Sequence, residues 1–192
     1  MFRYNICTLF LLLAAFLVQQ FVPAFTGLSQ SRILIVHLVF LCTAVTVTTP
    51  TMLLLAFIGG TLWDAHSSLA PMIVDAEVYT QPVESLRFGY SILLFAAMGF
   101  LMQGLNPLFR EGKWQFSALL TGIAIFLYLS AEFILISFVR GDFTITRSII
   151  RLLSYTSLVT MLFSPLIFWL LYHLAKIFQH SLYPEARKHN LR

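Results

Sequence analysis

Residues 33–63 read ILIVHLVFLCTAVTVTTPTMLLLAFIGGTLW, and how that run divides sets the architecture of the whole chain. It is too long for one membrane helix, which needs about 20 apolar residues, and short for two. Thr48, Thr49, Pro50 and Thr51 interrupt it. Threonine is a fair helix N-cap, and proline suits a first helical turn, where a missing N–H costs nothing. The pattern predicts two short helices, about 33–48 and 50–64, joined by a tight turn. A single long kinked helix is the alternative, and it would put the chain ends on opposite sides of a membrane.

On the N-terminal side, residues 6–25 form another apolar run behind Arg3. It exceeds the usual apolar core of a secretion signal, and Ala24, Phe25 and Thr26 make a poor cleavage site, so this first helix, about 5–25, is expected to stay. On the C-terminal side, residues 64–86 are more polar, with Asp64, Asp75, Glu77 and Glu84 beside Pro71 and Pro82. They predict a loop. Further spans are expected at about 86–109, 114–139 and 152–178. A short basic turn from Arg110 to Lys113 separates the first two of these. Before the last span, Ile145, Ile149 and Leu152 share a face opposite Arg147 and Arg151, which predicts an amphipathic segment lying in the interface. Pro165 falls inside the last span, where it removes a backbone donor and is expected to kink the helix. Residues 179–192 are a polar, basic tail.

The composition agrees with a chain dissolved in lipid. Of 192 residues, 59% are hydrophobic and 10% charged, where an ordinary soluble domain is roughly 25% charged. Mean hydropathy is +0.86. Disorder is excluded by the same numbers. The expected fold is a single all-α membrane domain over residues 1–178, a bundle of about six transmembrane helices. The net charge is +4 and the pI near 9.3, but the basic residues form no stripe, so nucleic acid is not the implied partner. They orient the chain instead. With both termini cytoplasmic, seven basic residues lie inside (Arg3, Arg110, Lys113, Lys176, Arg187, Lys188, Arg192) and five outside (Arg32, Arg87, Arg140, Arg147, Arg151). Cys7 and Cys42 both sit in apolar runs and read as small buried hydrophobes.

Few polar side chains fall inside the spans. Glu132 is the one acid well within a helix, sharing a face with Thr121, Tyr128 and Leu135. A carboxylate in hydrocarbon is costly, so that face should look inward. Glu132 is then either a functional site or a structural group bonded to Tyr128 or to an arginine of residues 140–151. His37, Asp64 and His66 are expected toward the outer side. A histidine and a carboxylate can ligate metal, but no HExxH motif and no third nearby histidine supports one. Asp64 reads more simply as a helix end. Small residues on the fourth span (Gly89, Ala96, Ala97, Gly99, Gly104) and fifth (Ser117 with Thr121, Ala118 with Gly122) suit close helix contacts, within the chain or with a membrane partner. No phosphate-binding loop, dinucleotide fingerprint or nucleophile elbow occurs. No enzyme activity, cofactor or metal is expected.

Residues 50–68 read PTMLLLAFIGGTLWDAHSS, and this stretch resembles the rod shape-determining protein MreD family. That family has a proline-started apolar stretch, then a Gly-x-x-x-Asp helix end followed by serine and glycine. Gly60, Asp64 and Ser67 fill those places here. The order of the later spans, the basic turn, the amphipathic break and the proline-bearing last helix is also similar, and the resemblance covers about residues 5–178. Residues Leu69, Ala70 and Pro71 depart from it, standing where the family commonly has glycine.

The resemblance implies a fold similar to the substrate-binding components of energy-coupling-factor transporters. It also implies a non-enzymatic role in the bacterial inner membrane, in the machinery that maintains cell shape and directs lateral peptidoglycan synthesis. Implied partners are MreC, the actin-like MreB and the RodA glycosyltransferase with its transpeptidase, with Asp64 and the loop after it as the possible contact. The alternative is a vitamin-binding transporter component of the same layout. Such components carry an Ala-x-x-x-Ala face on the first helix, whereas here Ala14 and Ala15 are adjacent and do not stack. A third reading is a membrane enzyme centred on Glu132.

Overall fold

The computed structural model describes residues 2–23, 25, 31–69, 88–106, 114–140 and 145–178. The basic turn at 110–113, the whole of the 70–86 loop, the start of the amphipathic segment, the 179–192 tail and the side chain of Ser67 lie outside the described residues. Among the described residues six helices follow one another: α1 (Phe2–Phe21), α2 (Ile35–Thr46), α3 (Thr49–Leu69), α4 (Tyr90–Gly104), α5 (Trp114–Arg140) and α6 (Arg147–Ile177). No strand occurs among the described residues, only one isolated bridge between Phe25 and Ser31. Among the described residues three helices are long and apolar enough to cross a membrane: Arg3–Phe21, Ser117–Val139 and Arg147–Ile177.

α2 is the centre of the bundle. Every residue from Val36 to Thr46 is buried, and α1, α3, α4, α5 and α6 all pack against it. A helix that is apolar all round belongs in a core. At 1.5 Å per residue its 12 residues rise only about 18 Å, well short of a hydrocarbon layer of about 30 Å. Its ends are therefore buried in protein, where end groups without partners would be costly.

Side chains from neighbouring helices meet that need. At the start of α2, Gln19 of α1 donates to the Ile33 carbonyl at 2.8 Å and accepts from the Ile35 N–H at 2.7 Å. Thr160 of α6 accepts from the Leu34 N–H at 3.2 Å. At its finish, Gln103 of α4 donates to the Ala44 and Val47 carbonyls, each at 3.4 Å, and Asn106 donates to the Val45 carbonyl at 3.0 Å.

The break after α2 is two residues long. Val47 is extended, and α3 begins at Thr49 with Pro50 in its first turn. α1 and α4 tie this turn down. Tyr4 donates to Thr46 Oγ1 at 2.9 Å, Asn5 to Thr51 Oγ1 at 3.0 Å, and Thr49 to Gln103 Oε1 at 3.0 Å.

α3 and α4 form the most extensive helix pair. Gly60 is the reason they approach so closely. A methyl group there would lie 2.5 Å from Ile92 Cα and 2.7 Å from its backbone nitrogen, so no larger residue fits. α5 and α6 make the second large pair. Ser157 donates to the Gly122 carbonyl at 2.6 Å, and the missing side chain of Gly122 leaves room for Met161. The outward faces are apolar, as on α6, where Leu158, Leu162, Leu166 and Trp169 are all exposed. Gly60, Gly99 and Gly122 thus make their close contacts within the chain, whereas Gly104 meets nothing within 4 Å and Ala97 is exposed.

Several boundaries differ from the sequence reading. α3 does not end at Asp64 but continues to Leu69, because the Asp64 side chain serves another helix instead of closing its own. α4 is shorter than the expected 86–109 and starts after Gly89, whose φ of +105° is left-handed. The interfacial segment before the last span is, from Arg147 onward, simply the first turns of α6. Arg147, Ser148 and Arg151 are solvent-facing there, so one long helix accommodates the amphipathic pattern. Pro165 lies inside α6, which runs on through it.

Candidate functional site

Polar groups from four helices converge around His37. The α2 register turns this histidine inward, and it is only 2% exposed. Three aromatic rings wall it. The Tyr128 ring of α5 stands 4.3 Å away between centroids, Trp63 of α3 4.5 Å and Phe95 of α4 4.8 Å. The Trp63 and Tyr128 contacts are edge-on, a favoured aromatic arrangement. Phe95 is also packed on Phe40 of α2, so the box is continuous with the apolar core.

Neither ring nitrogen of His37 has a hydrogen-bond partner among the described residues, and neither does the Tyr128 hydroxyl. Ser91 of α4 is buried beside that hydroxyl and is the side chain placed to bond it. A neutral imidazole carries one donor and one acceptor, and a phenol can act as either. The centre therefore holds unused capacity of both kinds.

Glu132 lies one helical turn beyond Tyr128 on α5, half-buried. The Trp63 side chain stands beside it, and the Tyr128 hydroxyl and Asp64 carboxyl are close enough to act on it electrostatically. This places Glu132 at the rim of the centre, facing α3. Beyond Trp63, the exposed His66 stacks near it at 6.4 Å and lies 3.3 Å from Gln20 of α1.

Asp64 is 2% exposed. Its Oδ2 accepts a 2.6 Å hydrogen bond from the Gly89 N–H, the residue that caps α4. An acceptor at a helix N-terminus meets both an unpaired donor and the positive end of the helix dipole. The carboxylate thus works across the α3–α4 pair. Gly60 lies one turn earlier on the same helix against Ile92, so the Gly-x-x-x-Asp spacing puts both residues on the face that meets α4. Glycine suits position 89 because a side chain is strained at that φ.

The sequence candidates are thus divided. Tyr128, Glu132 and Asp64 come together with His37. Gly60 lies one turn away, against α4. Pro165 belongs to α6 and takes no part. His37, Asp64 and His66 do not converge as ligands, and among the described residues no group of three or more His, Cys, Asp or Glu could hold a metal ion.

Three members, Trp63, Ser91 and Phe95, were not legible as site residues, since aromatic and serine residues are common in apolar helices. The only signal was a lone histidine inside the apolar run of residues 33–47. No protein-family model matches the chain, and no curated protein or solved structure shows significant similarity to it.

Proposed function

We propose that the chain is a non-enzymatic, multi-pass component of the bacterial cell-elongation complex, an MreD-like protein of the inner membrane. On this reading all six helices lie in the membrane and run alternately up and down, with both termini cytoplasmic. Seven basic residues against five favour that orientation.

One observation supports the reading most. The two motif residues Gly60 and Asp64 have connected structural work, one admitting the α4 backbone and the other capping α4 through Gly89. Together they hold α3 against the start of α4. The chain between these two helices, residues 70–89, is long enough to suit contact with a partner outside the membrane. The partner is then an MreC-like protein, with the RodA-type glycosyltransferase, its transpeptidase and MreB assembled through it. The role is to hold these members and so direct lateral wall synthesis.

The test is made in cells. Depletion should turn rods into wider, rounded cells, and photoreactive residues placed at positions 72–84 should crosslink to MreC. Unchanged cell width on depletion, with only scattered adducts from that segment, would overturn the proposal.

A further inference from the structure

We infer that the C-terminal end of α6 is a binding site for an anionic phospholipid whose headgroup carries a hydroxyl group, with Lys176 on the phosphate and His173 on the hydroxyl.

The helix sets the depth. Arg151 and His173 are exposed toward its two ends. At 1.5 Å per residue they stand about 33 Å apart along the axis, close to the hydrocarbon thickness of about 30 Å. Every exposed residue between them is apolar or aromatic, with Leu158, Leu162 and Leu166 forming a stripe. That stripe suits acyl chains, and His173 falls where headgroups begin.

Four exposed side chains gather there. Trp169, Tyr172, His173 and Lys176 are linked by three- and four-residue spacings and so share one helix face. Tryptophan and tyrosine favour the headgroup level, where one end of the ring is wet. The Trp169 and His173 rings lie 4.3 Å apart between centroids, and His173 Nδ1 donates to the Trp169 carbonyl at 3.3 Å. A neutral imidazole that donates from Nδ1 presents Nε2 as an acceptor, and nothing donates to it among the described residues. Lys176 makes no ion pair among them either. The acids that are described, Asp64 and Glu132, stand by Tyr128 instead.

Charge complementarity names the occupant. A lysine ammonium on its flexible stem reaches the interface and attracts an anionic headgroup. Nε2 calls for an O–H donor, and the leucines call for acyl chains. Phosphatidylglycerol supplies all three.

The inference needs α6 to span a membrane. It is independent of the rod-complex reading, which is tested by cell shape and crosslinks. Purified full-length protein in mild detergent is titrated with phosphatidylglycerol, phosphatidylcholine and phosphatidylmethanol of matched chains. Bound lipid is counted by native mass spectrometry. Phosphatidylmethanol has the same charge as phosphatidylglycerol and no hydroxyl. Phosphatidylglycerol should bind saturably at one per chain, about tenfold more tightly than phosphatidylcholine, and should raise Tm by mass action.

Lys176→Gln should weaken phosphatidylglycerol about tenfold, the loss of one charge-assisted hydrogen bond. His173→Phe should erase the preference for phosphatidylglycerol over phosphatidylmethanol and leave the preference for charge. If Lys176→Gln does not fold, the His173→Phe comparison carries the test. The inference is overturned if the three lipids bind alike, or if both variants keep the wild-type preferences. It is equally overturned if Arg187→Gln with Lys188→Gln removes the preference for charge while Lys176→Gln keeps it. Disulfide-linked dimers of Leu162→Cys in native membranes would also overturn it, because they would assign this face to a second copy of the chain.

Discussion

Two polar regions touch the same buried helix and are treated in opposite ways. At the ends of α2, backbone groups are matched by side chains reaching in from α1, α4 and α6. Near its first turn, His37 is equally buried and has no hydrogen bond among the described residues. The difference separates polarity that the fold must satisfy from polarity that it tolerates. A buried helix end must be satisfied for the fold to exist. A side chain is under no such obligation, and the fold keeps both His37 nitrogens inside an aromatic box without a bond among the described residues.

The comparison can be broken by substitution, and the largest effect is expected where close packing, not polarity, holds the frame. Gly60→Val would drive a side chain into the Ile92 backbone, which cannot move aside as a flexible side chain could. Overpacking costs about 1–3 kcal/mol and occasionally more, and a clash with helix backbone belongs beyond that range, above the cost of any polar substitution below. The expected outcome is loss of folded protein from the membrane, checked by its level and by size-exclusion profile. Normal levels would mean that the α3–α4 contact tolerates separation.

Next comes Gln19→Leu. It strips partners from both the Ile33 carbonyl and the Ile35 N–H. With about 1–3 kcal/mol for each unsatisfied buried group, a loss of about 2–4 kcal/mol is expected in denaturant unfolding in detergent. An unchanged midpoint would show that water reaches the end of α2.

Asp64→Asn keeps an acceptor for the Gly89 N–H but removes the charge that favours a helix start. A loss of about 1 kcal/mol is expected by the same measurement, with Asp64→Ala costing more because the donor is then bare. Equal losses for the two would point to a role of the charge outside this hydrogen bond.

The smallest effect, and the only one of opposite sign, is expected at His37. His37→Phe removes two nitrogens that lack partners among the described residues and keeps a ring, so unfolding should be unchanged or shifted up by about 1 kcal/mol. A large loss of stability would erase the distinction between the two regions and make His37 an ordinary structural residue.

Part of this was legible along the chain. The threonines and Pro50 marked where α2 gives way to α3, because a proline in a first turn and an extended residue before it are local effects. Glu132 and Tyr128 could be placed on one inward face from helical spacing alone. What could not be read was reach across helices. Asp64 looked like the end of its own helix, since an acid after an apolar run often is one, yet α3 continues and the carboxylate belongs to α4. Gln19, Gln103 and Asn106 looked like ordinary polar residues near span ends, and nothing local showed that they close the ends of a shorter helix. Trp63, Ser91 and Phe95 were indistinguishable from core.

The sequence by itself determined a helical, lipid-compatible chain, because apolar run length and the scarcity of charge depend only on composition and order. It also set the place of the central break and the inward face of α5. Only the tertiary structure decided that α2 is a short core helix satisfied from outside itself, that Gly60 and Asp64 work on α4, and that His37 and Tyr128 meet inside the bundle. Those facts depend on which residues distant in sequence come within hydrogen-bonding or van der Waals range, and side-chain chemistry at one position carries no record of its partner.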